Sequence, residues 1–323
     1  MKTFFVTGVG GQLGHDVVNE LTSRGYKVTG SDIAPSYSGI DDGSAVCHAD
    51  YMSLDITDRA AVHNALTRLH PDAVIHCAAW TAVDAAEDDA NQGKVMAVNK
   101  DGTENIALAC KEIDAVMTYI STDYVFNGKG DKPWDPDCKD YAPLNVYGKS
   151  KLAGELAVSS NLSKYFIVRI AWVFGLNGKN FIKTMLSVGK KHDEVRVVND
   201  QIGTPTYTLD LAVLLADMNE SEKYGYYHAT NSELDASLGE HDANGTKTGF
   251  ISWYDFTKEI YRQAGLTARV SPVSTEEYGL SKAARPFNSR LDKSKLVKNG
   301  FKPLPAWPDA VARFLNTIDI SSL

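Results

Sequence analysis

Apolar residues along this chain gather in short runs of strand length that alternate with longer stretches of helical periodicity. Residues 2–7 (KTFFVT) read as a buried strand, and QLGHDVVNELTSR carries a helical pattern that stops at Gly25, a residue suited to a left-handed cap. YKVTGSD then reads as a second strand. The alternation continues through helix DRAAVHNALTRL, strand DAVIHCAA, helix VMAVNKDGTENIALACKEI, strand AVMTYIST, helix NVYGKSKLAGELAVSS and strand YFIVRIAWVF. Strands separated by helices of this length require parallel pairing with right-handed crossovers. The pattern therefore predicts an α/β fold: a Rossmann-type doubly wound parallel sheet.

After about Phe174 the rhythm loosens. Helix NFIKTMLSVGKK, strand EVRVVND, helix LDLAVLLADMNES, strand YGYYHAT and helix ISWYDFTKEIYRQAG are separated by irregular stretches, and the chain closes on a Pro-rich tail. This predicts a dinucleotide-binding domain over residues 1–173, with 205–225 packing back on it. A smaller C-terminal α/β substrate-binding cap is expected from 174–204 and 226–323. The polar stretch 232–249, rich in Gly, Asp, Asn and Ser, reads as a surface insertion. No internal repeat is visible.

Composition removes several classes of function. With 323 residues, 43% of them apolar, the chain can bury a large core, and its net charge of −8 lacks the clustered basic face of a nucleic-acid binder. The first apolar run meets glycines after six residues, and no later run is long enough to span a bilayer, so neither a leader peptide nor a membrane anchor is expected. Cys47, Cys77, Cys110 and Cys138 are scattered without metal-ligand spacing and read as the reduced thiols of a cytoplasmic protein. Arg169, Lys179, Lys183 and Arg285 are local basic exceptions that could meet a phosphorylated ligand.

Gly8, Gly11 and Gly14 form GxxGxxG between the first strand and its helix, where backbone N–H groups and a helix N-terminus can approach a pyrophosphate. Three glycines also serve a plain tight turn. Asp32, at the end of the second strand, is placed to accept hydrogen bonds from adenosine ribose hydroxyls and to repel a 2′-phosphate. Because no Arg follows it immediately, NADH should be used at least as well as NADPH. Tyr147 and Lys151 lie four apart on one predicted helix, where an ammonium can lower the phenol pKa and let it donate a proton to a reducing ketone. Thr122, ending the preceding strand, can polarise the same carbonyl. A Tyr and Lys at this spacing arise easily by chance; the glycine turn upstream and the strand-end hydroxyl are what give the pair weight.

At these residues the chain resembles the extended short-chain dehydrogenase/reductases and, more narrowly, the dTDP-4-dehydrorhamnose reductases. GVGGQLG, LDITD, AAWTAVDAAE, Val98-Asn99, STDYVF, PLNVYGKSKLAGE, the R-x-x-W-V-F of 169–174, NDQIGTPT and ARPFNSRLDKSKL carry the likeness. The resemblance implies Thr122, Tyr147 and Lys151 as catalytic residues. It implies a dinucleotide site lined by Gly8, Gly11, Gln12, Leu13, Gly14, Asp32, Asp55, Ile56, Ala79, Trp80, Thr81 and Asn99, joined by Tyr147 and Lys151. Thr122, Asp123 and Trp172 would face a dTDP-linked 4-keto-6-deoxy sugar. Gln201, Arg285 and Asn288 have side chains suited to its diphosphate, although Arg285, before a proline, could equally brace a turn. The implied reaction is reduction of the C4 ketone of dTDP-4-dehydro-6-deoxy-L-mannose to dTDP-L-rhamnose by NADH or NADPH.

The stretch from Pro35 to Tyr51 is long for the link between Asp32 and LDITD. Some relatives hold Mg2+ between subunits through an acid at the position of Asp16, and a homodimer fits the resemblance. A single acid on a helix reads first as solvated charge, so no metal site is assigned. Two other functions share the scaffold: a nucleotide-sugar 4-epimerase, which retains its NAD, and a non-catalytic regulatory subunit. An intact Thr, Tyr and Lys set favours the enzyme. A dehydratase is disfavoured because Asp123-Tyr124, not Asp-Glu, follows Thr122.

Overall fold

A computed structural model describes residues 1–232 and 249–322. Seven parallel strands form the central sheet: β1 (Thr3–Thr7), β2 (Lys27–Asp32), β3 (Asp50–Ser53), β4 (Ala73–His76), β5 (Val116–Thr122), β6 (Tyr165–Ile170) and β7 (Gly225–His228). Their spatial order is β7-β6-β5-β4-β1-β2-β3, so the chain winds outward in one direction from β1 and in the other from β4. The crevice between β1 and β4 is where such a sheet binds its ligand.

Helices cover both faces. One core joins α1 (Gln12–Ser23) to α7 (Thr208–Asn219); the other lies under α2 (Arg59–Leu69), α4 (Thr103–Glu112) and α5 (Val146–Asn161). Gly25 adopts the left-handed conformation expected of it and caps α1. The single helix expected over 95–113 is instead α3 (Asp89–Met96) joined to α4 by a π-type run, Ala97–Gly102, that bulges around Asn99.

The cap has its own aromatic core, built by α6 (Phe181–Lys191), α8 (Trp253–Ala264) and α9 (Trp307–Leu315) with the paired strands Glu194–Val198 and Arg269–Val273. Two expectations need correction here. The Pro-rich tail contains a helix, because Pro308 sits in the first turn of α9, where its missing N–H costs nothing. Fully buried Trp307 anchors that helix. Strand β7 pairs with β6, so the sheet runs past the boundary placed at residue 225. The insertion read at 232–249 lies, apart from its two end residues, outside the described residues. No described helix is long and apolar enough to cross a membrane.

Asp16 also departs from its reading as a solvated charge. α7 packs on α1 from far along the chain, leaving Asp16 only 5% exposed with the Thr208 hydroxyl donating to it at 2.5 Å. Burial, reinforced by the charge of Asp42 against the Thr208 hydrogen bond, raises its pKa to about 6. A carboxyl held above its unfolded value weakens the native state at pH values above about 6, and the penalty fades as pH falls from about 6 and is gone below 3.8. Asp16→Asn, which keeps an acceptor for Thr208, is therefore expected to stabilise the protein at pH 8 by on the order of 2 kcal/mol and to make no difference near pH 4. Denaturant melts at the two pH values check this; equal effects at both would refute it.

Candidate active site

The crevice opens into a cleft of about 820 Å3 that runs from the glycine turn, past the ends of β4 and β5, to the cap. At one end Gly8, Gly11, Gln12, Leu13 and Gly14 line it. Gly8 has φ +72°, and a Cβ there would stand 2.6 Å from the backbone nitrogen of Ala78. Side chains are thus excluded from the turn, and the first N–H groups of α1, unpaired within the helix, face an open cradle. Such a cradle fits a dinucleotide pyrophosphate. Asp32 lies beside it, its carboxylate accepting from the backbone of Gly10 at 2.9 Å and of Ile33 at 2.8 Å.

The long link after Asp32 folds back over this end. Tyr37 meets His15 across 2.7 Å, Asn19 accepts from the backbone of Val46 at 2.8 Å, and Ser38 reaches the cleft wall. From the cap side, Asn177 donates to the Gly10 carbonyl at 2.9 Å. The length that looked anomalous in sequence is used to enclose the turn.

Asp55, Ile56, Ala79 and Thr81 line the middle of the cleft as expected. Trp80 and Asn99 do not. Asn99, buried by the π-type bulge, accepts from the backbone N–H of Trp80 at 2.7 Å and donates to the Trp80 carbonyl and to Ser150. Those contacts shape the strand-end loop that presents Ala79 and Thr81, and couple it to the helix of Tyr147.

Thr122, Asp123, Tyr147 and Lys151 converge on the same cleft. Asn145 caps α5 through the backbone of Gly148 at 2.7 Å, so the helix begins just before Tyr147 and sets Tyr147 and Lys151 on one face. Tyr147 lines the cleft beside Thr122 and packs edge-on against Tyr124, 5.6 Å between ring centroids. Burial raises the phenol pKa, and the charge of Asp123 adds to the rise. The net shift is upward, opposite in direction to the lowering expected from Lys151. The Lys151 ammonium sits 4.1 Å from the centroid of the Tyr119 ring, and burial brings its own pKa down to about 7 against the pull of Glu155. Asp123 is buried too; it accepts from Thr122 at 3.0 Å and Ser289 at 2.5 Å, and desolvation raises its pKa to about 6.

At the cap end Trp172 lines the cleft in a left-handed conformation, φ +51°, a strained choice for a bulky residue. The kink interrupts the apolar run expected as one strand over 165–174 and lays the indole on Trp253, 3.8 Å between centroids. Trp253, the first residue of α8, went unnoticed in sequence, since nothing local marks a residue some eighty positions beyond its partner. Cys77 and Gly178 are further lining residues that no motif flagged, and Tyr124 of STDYVF joins them.

Three residues suited to the diphosphate lie outside the cleft wall. Arg285 is paired with Asp84 at 2.6 Å and donates to Tyr124, so it braces the tail against the helical side. Gln201 donates to Thr275, and Asn288 donates to the Lys132 carbonyl at 2.8 Å. Of the four basic residues singled out in sequence, only Lys179 lines the cleft; Arg169 is buried against Glu155, and Lys183 donates to the carbonyls of Leu176 and Gly178. Among the described residues no group of three His, Cys, Asp or Glu side chains is arranged to hold a metal.

A doubly wound sheet with a glycine cradle at its switch point, and a strand-end Thr facing a Tyr and a Lys one helical turn apart, defines an extended short-chain dehydrogenase/reductase. The family described as RmlD substrate binding domain matches residues 1–320, and the chain belongs to that family. The chain is 38% identical to the dTDP-4-dehydrorhamnose reductase of Streptomyces griseus, with 95% of this chain and 91% of that protein covered. It is 35% identical to the spore coat polysaccharide biosynthesis protein SpsK of Bacillus subtilis, over 98% of this chain and 97% of that one. The crystal structure of dTDP-4-dehydrorhamnose reductase from Bacillus anthracis in complex with NADP is similar with a TM-score of 0.83 and 37% identity, covering 98% of this chain and all of that one.

Proposed function

We propose that this protein reduces the C4 ketone of dTDP-4-dehydro-6-deoxy-L-mannose to dTDP-L-rhamnose with NADH or NADPH. One observation carries the reading: the glycine cradle and the Thr122, Tyr147 and Lys151 side chains line a single cleft in a chain of this family. The reduced nicotinamide, when bound, supplies the hydride. Gly8, Gly11, Gly14 and the start of α1 hold the pyrophosphate, and Asp32 takes the adenosine ribose.

Thr122 turns the hydroxyl proton it gives to Asp123 toward the ketone oxygen, donates a hydrogen bond to it and polarises it. Tyr147, whose raised pKa keeps it protonated at neutral pH, gives its proton to that oxygen as negative charge develops. Lys151 stabilises the phenolate left behind. Asp123 accepts from a sugar hydroxyl, and the Trp172 and Trp253 pair forms an apolar floor for the deoxysugar. In this reading the sheet-bearing part, residues 1–173 with 205–228, holds the dinucleotide and the cap holds the sugar. A cytoplasmic homodimer belongs to the same proposal, and sedimentation analysis reads its assembly state.

The test is absorbance at 340 nm on mixing the protein with dTDP-4-dehydrorhamnose and either reduced cofactor. Stoichiometric cofactor oxidation is expected. An epimerase would cause no net oxidation and a regulatory subunit no turnover, so either result overturns the reading. With Asp32 beside the cradle and no basic residue between 33 and 44, kcat/KM is expected to be at least as high for NADH as for NADPH. Asp32→Ala is expected to move the ratio toward NADPH; an unchanged ratio would remove Asp32 from cofactor selection.

A further inference from the structure

One turn below Lys151 on α5 lies Glu155, completing a row of Tyr147, Lys151 and Glu155 at intervals of four. Glu155 is fully buried, as is its partner Arg169 on β6. The pair is bidentate, with Arg169 Nε donating to one carboxylate oxygen at 2.8 Å and Nη2 to the other at 2.7 Å. The first oxygen also accepts the Ser121 hydroxyl at 2.5 Å. Arg169 spends its remaining donors on the Pro136 carbonyl, Tyr141 and His228 Nε2, and its guanidinium lies 5.0 Å from the Phe126 ring centre and 4.9 Å from that of Tyr226.

This arrangement ties together the elements that carry Thr122, Tyr147 and Lys151. Ser121 immediately precedes Thr122, Glu155 shares a helix face with Tyr147 and Lys151, and Arg169 lies three residues before Trp172. A buried ion pair is a poor stabiliser compared with apolar side chains of the same volume, so stability alone does not account for it. We infer that the Glu155–Arg169 pair is a positioning device for the reaction, fixing Thr122, Tyr147 and Lys151 relative to one another and setting a carboxylate one helical turn below Lys151.

The surroundings of Lys151 support the second half. Facing it are Tyr147 and Glu155 from its own helix, His76 and Cys77 from β4 and the following loop, and Tyr119 from β5. Burial holds His76 neutral, with its pKa near 3, and the Cys77 thiol protonated up to about 12. His76 is further committed on both ring nitrogens, to Thr7 and Thr103. Around the pair itself, Tyr141, Tyr226 and His228 remain uncharged near neutrality, burial lowering the last and raising the two phenols. Glu155 is thus the anion that offsets the desolvation of Lys151. This inference rests on the reductase reading for its catalytic meaning, but its electrostatic content can be measured without turnover.

The experiment labels lysine side chains with 13C at Cε in the cofactor-free protein and follows the Lys151 signal, identified by its loss in Lys151→Met, against pH. In the parent this lysine is expected to titrate far below the others, and in Glu155→Gln its midpoint should fall by about one more pH unit. Glu155→Asp, which keeps the charge, should recover most of that shift. Where turnover is present, the alkaline limb of kcat should move with the midpoint while KM for NADH changes little. Glu155→Gln/Arg169→Met leaves no unpaired buried guanidinium and is expected to show a fall in the same direction should the single variant not fold. An unmoved midpoint in a folded variant overturns the inference, and failure of both variants to fold assigns the pair to folding alone and overturns it too. Absence of turnover in the parent would sink the reductase reading and leave the midpoint result standing.

Discussion

Tyr147→Phe is expected to lower kcat by about a hundredfold or more while leaving NADH binding within about twofold of the parent. The substitution removes one oxygen. Its ring keeps the edge-on packing against Tyr124, 5.6 Å away, and the cap at Asn145 that starts α5 is untouched. What disappears is the proton donor. Because burial and Asp123 hold the phenol above its ordinary pKa, the parent carries the proton throughout the neutral range and has it ready as the ketone oxygen gains charge. Absorbance at 340 nm reads the rate, and quenching of protein fluorescence by NADH reads the binding. A variant within a few-fold of the parent in kcat would mean that another group, with Thr122 or Asp123 nearest at hand, delivers the proton.

Gly14→Ala is expected to weaken dinucleotide binding by well over tenfold and to destabilise the fold by on the order of 2 kcal/mol. A methyl group at this position would lie 2.3 Å from the carbonyl oxygen of Gly8 and 2.8 Å from the Cα of Val9. Both are backbone atoms, and the turn cannot retreat, because Gly8 itself stands against the backbone of Ala78. The only relief is to move α1 away from β1, which widens the cradle and disturbs the buried Asp16 and Thr208 contact with α7. Thermal melts and an NADH titration measure the two effects. An unchanged NADH affinity would show that the close approach of helix and strand is not what forms the nucleotide site.

Much of the fold was legible because it is written locally. β1, α1, β5 and α5 each carry their own period of apolar residues and their own end signal, whether Gly25 in a left-handed cap or Asn145 at a helix start. The glycine turn and the Tyr147, Lys151 spacing are also local, since steric exclusion by a Cβ and one turn of helix act within a few residues. α9 was not read out of the Pro-rich tail, yet Pro308 occupies the one part of a helix that tolerates proline. Strand β7, at only four residues, lacked the length to declare which sheet it would join.

Side-chain partnerships were not legible. Asp16 and Arg169 are charged residues that sequence places on solvent or ligand, and packing buries both; Arg285, Gln201 and Asn288 have the right chemistry for a diphosphate but are claimed by Asp84, Thr275 and the 129–132 turn. Trp253 joins the cleft only because α8 docks its first turn on Trp172. By itself the sequence determined the parallel α/β winding, the nucleotide cradle and the Tyr and Lys row, because each depends on backbone geometry over a single turn or strand. The tertiary structure alone decided which polar side chains face the cleft and which ones hold it in shape, since a buried charge must find its partner wherever the fold brings one, here 14 residues away for Arg169 and 192 for Asp16.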